Sequence, residues 1–143
     1  MDMTASFTVY GEPQGKGRPR ISVEGGHARA RTPDKTVCYE NLIKTEYRLQ
    51  CGNARFPDNA AVAMAVKAFY GIPKSASKKK RAAMLAGAAR PTKKPDADNV
   101  LKAVADSLNG IAYKDDAQIA SASLDKYYGE APRLEVTLAG AQA

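Results

Sequence analysis

Apolar and polar positions along this chain change period several times, and each change predicts an element. Residues 6 to 10, SFTVY, are β-formers, and Gly11, Pro13, Gly15 and Gly17 then break the run, which predicts a strand followed by a loop. Arg20 to Arg31 holds two short strand-like stretches around Gly25 and Gly26, the signature of a hairpin. From Pro33 to about Gln50 the positions Val37, Tyr39, Leu42, Ile43, Tyr47 and Leu49 fit a helix, with Thr32 as its cap and Gly52 as its stop. VAMAVKAFY, residues 62 to 70, is short and rich in β-branched and aromatic residues, so it predicts a buried, central strand.

Ser75 or Ser77 is placed to cap a basic helix running through Leu85. Another helix is expected from about Asp96 to Asn109 and Gly110, and two strands from residues 117 to 128 and 133 to 138, the last alternating as RLEVTL. No internal repeat interrupts this order. The expected fold is a single mixed α/β (α+β) domain spanning residues 1–143, a mixed sheet covered by helices.

Composition narrows the class. Hydrophobic residues are 44% and charged residues 26%, which is too apolar for a disordered chain, and 143 residues suffice for a core without disulfides. No basic leader precedes an apolar segment and no long apolar run occurs, so no membrane segment and a cytoplasmic location are expected. Cys38 and Cys51 lack CxxC spacing and are expected to be reduced, mostly buried thiols. His27 stands beside the Gly-Gly turn with no ligand set around it and is expected at the surface. GEPQGKGR is one residue short of phosphate-loop spacing before its lysine, and no Ser or Thr follows.

The net charge of +7 favours a polyanionic partner. Lys74, Lys78, Lys79, Lys80, Arg81, Arg90, Lys93 and Lys94 share one stretch without an acidic residue, and that stretch runs into Asp96, Asp98, Asp106, Asp115 and Asp116. At 100° per residue Asp98, Lys102, Asp106 and Asn109 fall on one polar arc, with Val100, Leu101, Val104 and Leu108 opposite.

Two readings compete for this segment. It is a well-capped helix, in which Asp96 accepts first-turn N–H groups and Asp98 pairs with Lys102. Alternatively it is half of a metal site, because the returning Asp115 and Asp116 would bring together carboxylates that repel unless a divalent cation lies between them. Oxygen ligands of this kind suit Mg²⁺ or Mn²⁺ and phosphodiester hydrolysis, with Lys102 on a phosphate oxygen. Tyr127 and Tyr128 are expected to pack in the sheet rather than to stack on bases.

Several spaced elements, in order, resemble the RusA family of Holliday junction resolvases along nearly the whole chain: GKGRPR at 15–20, RTPDKTVCYE at 31–40, KPDADN at 94–99 with a lysine four residues after its second aspartate, DSLNG at 106–110 and DDAQI at 115–119. The resemblance implies a homodimeric nuclease that nicks two opposed strands of a four-way DNA junction with Mg²⁺. It also implies Asp96, Asp98 and Asp116 as catalytic metal ligands, with Asp115 secondary, and Lys102 as the essential lysine. Asp106 is placed in support. Lys16, Arg18, Arg20, Lys78, Lys79, Lys80, Arg81, Lys93 and Lys94 are the expected DNA-phosphate contacts. The alternatives are a non-catalytic basic nucleic-acid-binding module, or a flap or branched-DNA nuclease using the same carboxylates.

Overall fold

A computed structural model of the chain describes residues 3–17, 20–31 and 34–141, with the backbone alone at 20–22, 24 and 29–31. Four strands, β1 (Thr4–Tyr10), β4 (Val62–Gly71), β5 (Ile119–Gly129) and β6 (Arg133–Gly140), form one mixed sheet in the order β1-β6-β4-β5. The β4/β5 pair is parallel and the other two pairs are antiparallel, so β4 is central as its composition predicts. Strands β2 (Arg20–Glu24) and β3 (His27–Arg31) make a separate hairpin. Its turn residues Gly25 and Gly26 have φ of 57° and 81°, the left-handed pair a two-residue hairpin turn requires.

Alternation decides which face of the sheet is buried. Phe7 and Val9 of β1, Val62, Met64, Val66, Ala68 and Tyr70 of β4, and Leu134, Val136 and Leu138 of β6 all turn to one side. That side receives α1 (Asp34–Cys51) through Tyr39, Ile43 and Tyr47, and α3 (Ala97–Ser107) through Val100 and Val104, with Leu108 just beyond its end. Phe7 meets Tyr47 edge to face at 5.3 Å. The opposite side, carrying exposed Ala65, Lys67, Ser121, Ser123 and Thr137, is left open, so helices cover one face of the sheet rather than both.

A parallel pair needs a crossover, and the segment between β4 and β5 supplies it with α2 (Lys78–Leu85) and α3. Ser77 caps α2, its Oγ accepting from the amide of Lys80 at 3.2 Å. The helix buries no residue and leaves Lys78, Lys79, Lys80 and Arg81 exposed. The cap expected at Thr32 lies outside the described residues. Cys51 is half-buried but Cys38 is exposed, because it falls on the outer face of α1; this corrects the expectation of two buried thiols. No helix among the described residues is long and apolar enough to cross a membrane.

Candidate active site

Helix α3 and the turn before β5 carry the acidic residues. The backbone of Asp96 caps α3, its carbonyl accepting from the amide of Val100 at 3.1 Å, but its side chain makes no capping hydrogen bond. The carboxylate is exposed instead, near the buried phenol of Tyr70, whose hydroxyl donates to the Pro95 carbonyl at 2.7 Å. Burial first, and then the charges of Asp96 and Glu12, push that phenol up to about 12. Asp98, one turn before Lys102, is also exposed. Lys102 does not turn back to Asp98 as its spacing suggests; it pairs forward with Asp106 at 3.5 Å.

The two aspartates of the DDAQ run have different fates. Asp115 is consumed by structure: its carboxylate accepts from the Ala117 amide at 2.9 Å and begins a 3-10 turn, Asp116–Gln118. Gln118 then clamps that turn, its Oε1 accepting from the amides of Lys114 and Asp115 at 2.9 and 3.2 Å and its Nε2 donating to the carbonyls of Pro57 and Ala60 at 2.8 and 3.0 Å. Asp116 is left facing α3, within hydrogen-bond reach of Asp106. Burial, that contact, and the charges of Asp115 and Asp106 hold the Asp116 carboxyl above the usual carboxylate range, with Lys102 opposing. Beneath it, the buried hydroxyl of Tyr113 donates to the Ala105 carbonyl at 2.6 Å, tying the returning chain to the helix.

Asp106 carries a second cation. The ammonium of Lys16 lies 3.3 Å from it and 2.9 Å from Glu40 of α1, with only 20% of its side chain exposed. Lys16 therefore turns inward, away from the open DNA-contacting position expected of it. Arg18 lies outside the described residues, and of Arg20 only the backbone is described.

Not all the predicted carboxylates converge. A helix rises 1.5 Å per residue, so Asp96 and Asp98 stand about 15 and 12 Å along α3 from Asp106, and Asp116 gathers with Asp106 and Lys102 at the far end. Among the described residues no three His, Cys, Asp or Glu side chains stand close enough to enclose an ion. Asp96, Asp98 and Asp116 nevertheless share one property: among the described residues none has an ion-pair partner or serves as a side-chain cap, unlike Asp106 and Asp115.

Two concavities border this strip. One of about 260 Å³ is walled by Met64, Leu101, Ala105, Ile119 and Ala122, with Lys102 and Asp116 in its lining. Another of about 390 Å³ lies between the Pro13–Gly17 loop, the start of α1 and Pro95, where Lys35 and Lys94 both face it. Lys35 was not singled out from sequence, because it lies outside the basic stretch and enters the site only through the packing of α1.

The model of the endodeoxyribonuclease RusA family matches residues 10–139, which takes in the Lys16 loop, both acidic segments, β4, β5 and nearly all of β6, and begins at the last residue of β1. The chain belongs to the RusA endodeoxyribonuclease family. It is also 40% identical over 140 residues to the uncharacterized protein YqaN of Bacillus subtilis (strain 168), covering 92% of this chain and 93% of that one. The matched span includes the KPDADN and DDAQI segments, which form the start of α3 and the 116–118 turn.

Proposed function

We propose that this RusA-family chain is a Mg²⁺-dependent, structure-specific endonuclease that resolves four-way DNA junctions as a homodimer, making paired symmetric nicks in a recombination or repair setting. The observation that carries the reading is that Asp96, Asp98 and Asp116 have no ion-pair partner among the described residues and stand near Lys102, with Lys35 and Lys94 facing the concavity at Pro95. A helix cap or a salt bridge would have consumed them.

Their oxygens fit Mg²⁺ (or Mn²⁺) bound in its usual manner, through one or two carboxylates with water and phosphate completing the shell, and not a closed protein cage. Bound there, the ion would supply a water of lowered pKa and neutralise charge on the transferring phosphate. Asp96 and Asp98 would hold an ion at the mouth of α3 and Asp116 would hold one at the far end of the helix, each with phosphate and water completing the shell, while Asp115 serves the turn. Lys102, 61% exposed and only 3.5 Å from Asp106, is free to swing its ammonium onto a non-bridging phosphate oxygen, where negative charge develops. Lys78, Lys79, Lys80, Arg81, Lys93, Lys94 and Lys35 would hold neighbouring phosphates. A two-fold junction cut symmetrically calls for two sites related by a two-fold axis, hence a dimer.

The test is nicking of a synthetic four-way junction beside linear duplex and flap DNA, with and without Mg²⁺. Paired, symmetric, metal-dependent cuts are expected, lost on the order of 100-fold or more in Asp98→Asn and Asp116→Asn and retained in Asp115→Asn. Junction binding without cutting under either metal would leave only a DNA-binding module, and equal cutting of all substrates would remove the junction specificity.

A further inference from the structure

We propose that Lys16 is a positioning residue for cleavage, holding Asp106 and through it the Lys102 ammonium, and not a contact to DNA. The inference rests on the proposed nuclease reading and adds to it a residue that lies some eighty positions before the acidic segment.

The loop that carries Lys16 is fastened to α3 and α1 by its backbone. Its own amide donates to the Asn99 carbonyl at 3.0 Å, and the Gly17 amide donates to Thr36 Oγ1 at 2.9 Å. Gly15 packs so tightly that a Cβ there would lie 2.9 Å from the Asn99 Cβ and 3.1 Å from the Pro95 Cβ. The loop thus rests directly on the first turn of α3, and the Lys16 side chain crosses the interface between α1 and α3. There it meets Glu40 at 2.9 Å and Asp106 at 3.3 Å.

Charge makes the arrangement necessary. Lys16, Lys102, Glu40, Asp106 and Asp116 together carry two positive and three negative charges, a net of −1. Removing Lys16 leaves −2 around Asp116, with Lys102 as the remaining ammonium on Asp106. Lys102 is then drawn fully to Asp106 and away from the phosphate, and Asp106, no longer anchored to α1, moves with it. Both effects act on the chemical step. Neither touches the exposed lysines that hold DNA. For Lys16 to reach a phosphate it would have to leave two carboxylates at once, which strands two partly buried charges.

The experiment compares Lys16→Met and Lys16→Arg with wild type, using Lys79→Met as a surface control. Junction affinity is measured in EDTA across a salt series, and single-turnover cleavage at saturating enzyme across a Mg²⁺ series. Lys16→Met should keep affinity and salt slope but cut on the order of 100-fold more slowly, the scale expected of a displaced catalytic group, and Lys16→Arg should recover most of the rate. Lys79→Met should instead lose affinity and salt slope, as expected of a phosphate contact. If Lys16→Met instead behaves like Lys79→Met, Lys16 is a phosphate contact and the proposal is overturned. Equal cutting by Lys16→Met and wild type also overturns it, while leaving the nuclease reading in place. A wild type that cuts no branched substrate removes both. Should Lys16→Met fail to fold, Glu40→Gln reads the same arm: it frees one side of the ammonium, and a slower saturated rate at unchanged affinity supports the proposal, whereas an unchanged rate refutes it.

Discussion

Asp116 and its neighbour Asp115 differ by one position and by almost everything else. The short 3-10 turn points one carboxylate at its own backbone and the other at α3, where it faces Asp106. Because Asp116 is partly desolvated and also crowded by like charges, its folded-state pKa is raised, so the folded protein binds more protons than the unfolded chain as pH passes through that interval. Stability from this residue therefore falls as pH rises from the ordinary carboxylate value of 3.8 through the raised one, and the penalty persists above it. In EDTA, Asp116→Asn should unfold at higher urea than wild type at about pH 7, and the gain should vanish at about pH 3, where both side chains are neutral. A gain that did not depend on pH would show that crowding of charge is not the cause. At the same scale, the cap assigned to Asp96 from sequence exists only in its backbone. The side-chain oxygen that would have spent itself on the first turn of α3 is free for other work.

At the level of elements, the acidic turn is begun by Asp115 and fastened to the neighbouring segment by Gln118. Gln118 uses both faces of its amide, tying the turn to itself and to the segment before β4. Gln118→Ala should cost about 2 kcal/mol in equilibrium unfolding, since two of the four groups it satisfies lie on the neighbouring segment and lose their partner. Cleavage should fall with it as Asp116 loses its anchor; full activity at unchanged stability would mean that Asp115 alone sets the turn. The helices and strands themselves were largely legible. Alternation in RLEVTL, the apolar run at 62–70 and Ser77 before a basic helix each describe a local preference that the fold keeps. What local pattern missed was the direction of Lys102. An i,i+4 partner exists on both sides of it, and only the arrival of Lys16 and Asp116 at the later turn marks Asp106 as the partner taken.

For the whole molecule, topology sets where the charges lie. Strands β4 and β5 run parallel, so the chain must return along the sheet between them, and α3 makes that return. Asp96 consequently lies near Tyr70, at one end of β4, and Asp116 precedes Ile119, which pairs with Val62 at the other. The carboxylates form a strip along α3, and the exposed Lys78, Lys79 and Lys80 lie on α2, the other helix of the same crossover. Changing these three lysines together to glutamine should weaken junction binding and flatten the dependence of log affinity on log salt by up to about 2.7, or 0.9 per phosphate contact, with the saturated cutting rate preserved. An unchanged slope would place the DNA on another face.

The sequence by itself determined the mixed α/β class, the central place of β4, the basic and acidic stretches and the RusA membership, because each is written in short-range periodicity or in spaced local motifs. Tertiary structure alone decided that helices cover one face of the sheet, that Asp115 caps the 3-10 turn while Asp116 faces α3, and that Lys16 meets Glu40 and Asp106. These outcomes depend on which distant groups meet. A side chain's partner, unlike its backbone preference, is set by the neighbours that folding brings within a few ångströms, and nothing adjacent in sequence announces them.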